Sequence, residues 1–160
     1  MTPSKRTRIE EKIYSTFAEV ASTLGYSPVH GKIIGALLVR GKELSLKDLA
    51  AETGYSVSMI SLSLDLLELL GVIKKTRKSG DRNLYIILQG DLLRSLKNAI
   101  VMRIQKSIRS TLADFDKSRE DLESLPLDER KNLEETLGIL ENEIKRLERY
   151  IRLLSGINLP

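Results

Sequence analysis

The chain has 160 residues, of which 41% are hydrophobic but only 4% aromatic, and it contains no cysteine. This length suits one domain, or a small domain with an appendage, around a core of aliphatic side chains. Without cysteine, disulfides and thiolate metal sites are excluded. Neither a signal-peptide pattern nor an apolar run of roughly 18 residues is visible, so we expect a soluble, cytoplasmic protein with no membrane partner.

The net charge of +4 is concentrated in one short segment. Residues 1–90 hold 13 Lys and Arg against 9 Asp and Glu, whereas residues 91–160 hold 13 of each kind. Between Lys74 and Arg82 there are five basic residues and one acidic residue. A local basic patch of this kind is typical of a surface that binds phosphate groups, although a solubilising turn has the same composition.

Two amphipathic helices are predicted in the first 41 residues. The first runs from Ser4 to about Leu24, and its apolar face consists of Ile9, Ile13, Phe17, Val20 and Leu24. The second begins at Pro28 and ends at Gly41, with an apolar face of Ile33, Ile34, Leu37 and Leu38. Gly31 and Gly35 lie four residues apart, so another helix could approach closely on that side. The only histidine, His30, fits ordinary packing better than ligand binding.

Residues 45–70 have the pattern of a helix-turn-helix. Ser45 and Asp48 suggest a capping box for a short helix, and Gly54 supplies the turn. Ser56 can then cap a second helix. Its buried face is predicted at Val57, Ile60, Leu64, Leu67 and Leu70 or Val72.

The opposite side of this second helix is unusually rich in hydroxyl groups. The candidate DNA-binding residues of this recognition helix are Ser56, Ser58, Met59, Ser61 and Ser63, with Asp65 further along. No Lys or Arg lies between Val57 and Ile73, so modest base discrimination is expected. A small polar face packed against another protein is the alternative interpretation.

A basic hairpin follows the recognition helix. Its strands are predicted to begin at Val72 and to span residues 84–88, with Gly80 permitting the reversal. The predicted DNA contacts of this wing, to the minor groove or to flanking phosphates, are Lys74, Lys75, Arg77, Lys78 and Arg82. Arg82 is the strongest candidate, because a narrow minor groove concentrates negative potential. Asp81 is predicted to orient an arginine through a charge-assisted hydrogen bond.

The segment LLELLGVIKKTRKSGDRNLYII joins the end of the recognition helix to a G-D-R wing and a hydrophobic strand. In this it resembles the MarR-type winged-helix transcription regulators, and more narrowly their GbsR-like branch, over roughly residues 27–88. The resemblance implies a homodimer in which each subunit contributes one winged helix, with Arg82 as the wing-tip arginine. It also implies a response to a small-molecule effector, which no residue in the sequence identifies.

Two long helices are predicted at the C-terminal end. The first runs from Asp91 to about Lys117, and residues 116–128 are predicted to form a charged connection. The last helix, from about Leu127 to Leu154, has a heptad stripe of candidate dimerisation residues: Leu133, Leu137, Leu140, Ile144, Leu147, Ile151 and Leu154. The partner of this stripe is either the same helix of a second copy or the preceding helix of the same chain.

These features predict a mainly α fold with a small β wing, in which a winged helix-turn-helix DNA-binding domain is joined to a helical dimerisation lobe. Residues 1–26 are expected to form a packing or dimerisation helix, residues 27–90 the DNA-binding domain, and residues 91–160 the dimerisation region with its coiled coil.

The expected function is that of a homodimeric transcription regulator that binds a pseudo-palindromic site in double-stranded DNA. A winged-helix protein-interaction module with a coiled coil is the alternative. One histidine, no metal-ligand spacing and no phosphate-binding glycine-rich loop argue against an enzyme, and no cofactor or metal is expected.

Overall fold

The computed structural model describes residues 3–160. The helices are α1 Lys5–Thr23, α2 Pro28–Arg40, α3 Leu46–Thr53, α4 Val57–Leu69, α5 Leu92–Leu122 and α6 Leu127–Ser155. The strands are β1 Leu44–Ser45, β2 Ile73–Arg77 and β3 Leu84–Leu88. The chain divides into two compact units, with the boundary between Leu96 and Lys97. Within residues 3–160, no helix combines the length and the apolar character that crossing a membrane requires.

The helices α1 and α2 cross at glycine. A β-carbon built at Gly31 would lie 2.0 Å from the carbonyl oxygen of Phe17, so only glycine allows the two backbones to approach this closely. The buried residues of α1 are Tyr14 and Ala18. The predicted apolar face is therefore partly wrong, because Ile9 and Val20 are exposed in the chain. The face that packs on α2 is rotated toward Tyr14, whose ring lies beside the second glycine, Gly35.

The helix-turn-helix forms as the sequence predicts. The Ser45 hydroxyl accepts a hydrogen bond from the Asp48 N–H at 3.2 Å, and the Asp48 carboxylate accepts one from the Ser45 N–H at 3.2 Å. This capping box fixes the start of α3. Gly54 has a φ of 75° and ends α3, after which Ser56 caps α4 by accepting a hydrogen bond from the Met59 N–H. The core beneath these helices is aliphatic: Ile33, Leu37, Leu49, Ile60, Leu64, Leu67, Ile73 and Ile86.

A three-stranded antiparallel sheet completes this unit, with strand order β1-β3-β2. The hairpin of β2 and β3 is in register from the pair Ile73 and Leu88 to the pair Arg77 and Leu84. The two-residue strand β1 is not predicted from the sequence, and it pairs Leu44 with Ile86. The wing is therefore attached to the core through Ile86, which is fully buried.

The second unit contains most of α5 and all of α6, which pack together as antiparallel helices. A cluster of Val101 and Ile108 from α5 with Ile151 from α6 forms its core. Near one end, the Lys97 ammonium donates hydrogen bonds to the Ser155 and Ile157 carbonyl oxygens at 3.0 and 2.9 Å.

The helix α5 is longer than predicted. It continues to Leu122 through residues that are predicted from the sequence to form a charged connection. Leu122 is buried, and the Arg119 guanidinium forms an ion pair with the Glu141 carboxylate of α6. These tertiary contacts stabilise the last two turns, whose local composition alone suggests a loop.

The heptad stripe of α6 is divided between two environments. Leu137, Ile144, Ile151 and Leu154 are at least partly buried, and the last three pack in the cluster with α5, which corrects the prediction of Leu154 as a dimerisation residue. Leu133, Leu140 and Leu147 are 39–46% exposed. Packing within one chain therefore covers one side of the stripe and leaves the leucine row of Leu133, Leu140 and Leu147 partly exposed.

Candidate nucleic-acid interface

The recognition helix α4 presents one uncovered face. Ser58, Ser61 and Asp65 lie on this face, and Met59 is 46% exposed at its edge. Ser56 stands at the N-terminus as the cap. These predicted residues therefore lie together at the surface of the N-terminal half of α4.

Two residues of α4 lie on the side opposite to their prediction. Ser63 is buried, and its hydroxyl donates a hydrogen bond to the Met59 carbonyl oxygen at 2.9 Å. The prediction that Ser63 faces outward is therefore corrected, because its position on the helix directs it toward the core. Val57 is exposed although it is predicted in the buried face, since the first turn of α4 extends beyond the hydrophobic core.

The uncovered face also contains two leucines that are not identified from the sequence. Leu62 is 80% exposed and Leu69 is 70% exposed. Leu62 follows Ser58 by four residues and Leu69 follows Leu62 by seven, which places all three on one side of the helix. Helical spacing counted from Ser58 rather than from the apolar residues would have located both leucines.

The tip of the wing is held by a carboxylate. Gly80 has a φ of 78°, as the reversal requires. The Asp81 carboxylate accepts hydrogen bonds from the Tyr85 hydroxyl at 2.6 Å and from the Asn83 N–H at 2.8 Å. The hydrogen bond from Tyr85 is the larger cause and the one from Asn83 the second, and both lower the pKa of Asp81. Asp81 thus braces the hairpin itself, and among residues 3–160 no arginine is bonded to its carboxylate, which corrects the prediction for this residue.

The five basic residues of the wing fall into two groups. The Lys75 ammonium lies 2.5 Å from an Asp65 carboxylate oxygen and 3.1 Å from one of Glu68. The Lys78 ammonium forms an ion pair with Glu43 and lies 4.3 Å from the centre of the Tyr85 ring. Hydrogen bonds to these carboxylates raise the pKa of both lysines. Both lysines therefore stay charged, but their charge is already compensated within the protein.

The second group consists of Lys74, Arg77 and Arg82. All three side chains are exposed, and no ion pair joins any of them to another residue in the described range 3–160. We call them the free wing cations. They are the part of the basic hairpin whose charge remains available to an external anion such as a phosphate group.

An ionic network connects α1, α2 and α3 within the same unit. The Arg40 guanidinium donates to the Glu52 carboxylate at 2.8 and 2.7 Å and lies 3.3 Å from a Glu10 carboxylate oxygen. The Tyr14 hydroxyl donates to Glu52 at 2.9 Å. Burial is the largest cause, and this hydrogen bond the second, of a rise in the pKa of Tyr14 to about 12. The hydroxyl therefore remains a donor. The guanidinium lowers the pKa of Glu52.

We expect the substitution Glu52→Gln to destabilise the chain by roughly 1.5 kcal/mol at neutral pH, because it removes a partly buried carboxylate from two donors. The folded-state pKa of Glu52 is below its ordinary value of 4.5, so this contribution is present above pH 4.5 and is lost as the pH falls below it. Urea unfolding at several pH values measures this difference between wild type and variant. Tyr14→Phe, which keeps the ion pair, is the control and should cost less than Glu52→Gln at neutral pH. A cost of Glu52→Gln that grows as the pH falls would contradict this role of the carboxylate.

A polar cavity of about 520 Å³ lies beside the network. Its lining includes Arg40 and Glu52 of the network, together with Lys78 and Tyr85 of the wing. Its cations are matched by carboxylates, so its charge selects no particular ligand. His30 lies elsewhere, with Nδ1 3.2 Å from the Ser27 carbonyl oxygen, and burial lowers its pKa. Across residues 3–160, no group of three or more His, Asp and Glu residues is placed to hold a metal ion.

No protein-family model and no curated protein sequence matches this chain, whereas solved structures do. A structure described as a transcriptional regulator is 22% identical, covers 89% of this chain and 98% of its own, and superposes with a TM-score of 0.54. A MarR-family regulator from Rhodococcus sp. RHA1 is 16% identical, with 84% and 88% of the two chains covered and a TM-score of 0.42. Ligand-free MarR from E. coli is 15% identical, with 88% and 97% covered and a TM-score of 0.41.

The first superposition extends over nearly the whole of both chains, and it establishes the fold. The predicted fold class is confirmed: the chain is mainly helical, with a small antiparallel sheet in a winged-helix arrangement.

Proposed function

We propose that this chain is a transcription regulator of the MarR type that binds double-stranded DNA as a homodimer. The observation that carries the proposal is one unit in which an uncovered recognition helix stands beside a hairpin with three free wing cations. Duplex DNA suits this pair of surfaces, because its major groove admits a helix and its backbone attracts cations. The resemblance in sequence and the fold shared with a transcriptional regulator support the same function.

In this proposal the N-terminal half of α4 enters the major groove. The unpaired N–H groups of the first turn and the helix dipole favour a phosphate there, while the Ser58 and Ser61 hydroxyls reach toward bases. Arg82, together with the other free wing cations Lys74 and Arg77, contacts the minor groove or flanking phosphates. Lys75 bridges β2 to Asp65 and Glu68 of α4, so the wing and the recognition helix are held together as one binding surface.

The dimer is inferred from the leucine row of α6. Leu133, Leu140 and Leu147 repeat every seven residues and stay partly exposed after packing within the chain, which suits a second helix of the same kind. A two-fold dimer would present two recognition helices to half-sites about 34 Å apart on a pseudo-palindromic site. Two modest half-site affinities would then combine through effective concentration.

We expect the double substitution Leu140→Glu, Leu147→Glu to convert the dimer to a monomer without unfolding it, because charges would replace exposed apolar contacts at the interface. Sedimentation equilibrium measures the mass, and circular dichroism verifies the helix content. Ile139→Glu, Leu153→Glu is the matched control, since these two exposed residues lie outside the leucine row and should leave the dimer intact. A double variant that remains dimeric would contradict the assignment of this interface.

The experiment that tests the function is binding to mixed genomic duplex DNA at increasing salt. A regulator of this kind binds DNA with an affinity that falls steeply with salt. The alternative, a winged-helix protein-interaction module, predicts no such binding. The proposal describes a cytoplasmic binding protein and not an enzyme. Duplex fragments selected by that binding would give the operator sequence, and ligand screens would identify a small-molecule effector. The GbsR-like branch stays a prediction.

A further inference from the structure

The N-terminal half of α4 offers apolar groups where a recognition helix normally offers polar ones. Leu62 is among the most exposed large hydrophobic residues of the chain, and Met59, three residues earlier and therefore beside it on the helix, is about half exposed. A single exposed leucine is ordinary on a protein surface. Two adjacent apolar side chains within the first two turns of the uncovered face form a small apolar patch on the half of α4 that enters the major groove in the proposed function.

The polar groups on the same face provide little discrimination. The Ser58 and Ser61 hydroxyls can donate or accept, so each fits several bases. Asp65 is an acceptor only, and one of its oxygens lies 2.5 Å from the Lys75 ammonium. No Lys or Arg occurs in residues 57–72 to bind guanine. Selectivity must therefore come from the apolar side chains or from the shape of the DNA.

The major groove presents one kind of apolar group at base edges, the C5-methyl group of thymine. We propose that Leu62, with Met59 beside it, is the specificity-determining residue of α4 and contacts thymine methyl groups in each half-site. This inference rests on the proposed function, since it assumes that α4 enters the major groove. Base pairs without a thymine would place only polar edges against Leu62. These edges would lose their bound water without gaining a hydrogen bond.

The test uses the full chain and the tightest-binding duplex selected from mixed genomic DNA. That duplex is synthesised once with thymine and once with deoxyuridine at every thymine position, which removes only the methyl groups. We expect the uracil duplex to bind wild type more weakly by roughly fourfold per half-site, or roughly fifteenfold for two half-sites. Leu62→Ala should weaken binding to the thymine duplex by a similar factor and bring the ratio of the two affinities close to one.

Leu69→Ala is the matched control. It removes the same atoms from an equally uncovered leucine on the same face, about 10.5 Å further along the helix and away from the N-terminal half. It should keep the preference for thymine at the wild-type value. The comparison also removes any effect of uracil on duplex shape, because all variants bind the same two duplexes.

The outcomes separate this inference from the proposed function. Salt-dependent binding with equal affinity for both duplexes, or a thymine preference that survives Leu62→Ala, overturns the role of Leu62 and leaves DNA binding in place. Loss of the preference in Leu69→Ala and not in Leu62→Ala likewise overturns it. Absence of salt-dependent binding to either duplex overturns the proposed function and this inference with it.

Discussion

Replacing Gly31 by alanine is expected to destabilise the first unit by roughly 3 kcal/mol, more than any other single substitution proposed for this chain. The added β-carbon would lie 2.0 Å from the Phe17 carbonyl oxygen, and neither this atom nor its neighbours belong to a flexible side chain. The helix α1 must therefore move away from α2. That movement would loosen the packing of Tyr14 and its hydrogen bond to Glu52.

Two further glycines serve as controls in the same denaturation experiment. At Gly35 the nearest atom to an added β-carbon is Tyr14 Cδ1 at 3.2 Å, so Gly35→Ala should cost less than Gly31→Ala. At Gly138, within α6, nothing lies within 4 Å, so Gly138→Ala should stabilise its helix by about 0.5 to 1 kcal/mol. If Gly31→Ala stayed within about 0.5 kcal/mol of wild type, the close crossing of α1 and α2 would be wrong.

Removing the free wing cations should have the largest effect on DNA binding. We expect the triple substitution Lys74→Ala, Arg77→Ala, Arg82→Ala to weaken binding by roughly 100-fold at about 100 mM salt, because a dimer loses six contacts to the DNA backbone or minor groove. Stability should change little, since all three side chains are exposed. Fluorescence anisotropy with a labelled duplex measures the affinity.

The control variant carries the same loss of charge at another place. Lys131→Ala, Arg149→Ala, Arg152→Ala removes three exposed cations of α6, so both variants lower the net charge of +4 by three. If the wing binds DNA locally, the control should stay within about twofold of wild type at this salt concentration. Equal losses in the two variants would mean that net charge alone, and not the wing, determines the affinity.

The parts of the fold that depend on neighbouring residues could be predicted from the sequence. The capping box of Ser45 and Asp48, the turns at Gly54 and Gly80, and the hairpin itself are specified within a few residues along the chain. The close approach at Gly31 is predictable as well, because two glycines four residues apart in a helix form a flat side on which another backbone can pack.

The misplaced residues are those whose surroundings come from distant segments. Lys78 is paired with Glu43, which lies 35 positions earlier, so a count of basic residues overstates the free charge of the wing. Ser63 is the exception, because its spacing from Ile60 and Leu67 places it on the buried side of α4, and helical periodicity alone would have located it there. In α6 a uniform heptad gives no sign that Ile144 packs within the chain whereas Leu140 stays exposed.

The salt dependence of binding to duplex DNA tests the central proposal most directly. For a dimer whose six free wing cations all contact phosphates, the logarithm of the binding constant should fall with the logarithm of the salt concentration with a slope of about −5. Arg82→Ala should weaken binding and reduce that slope by about 2, because one contact is lost from each subunit. The contradicting result is a wild-type chain that binds no duplex DNA at about 50 mM salt, or binds it with an affinity independent of salt.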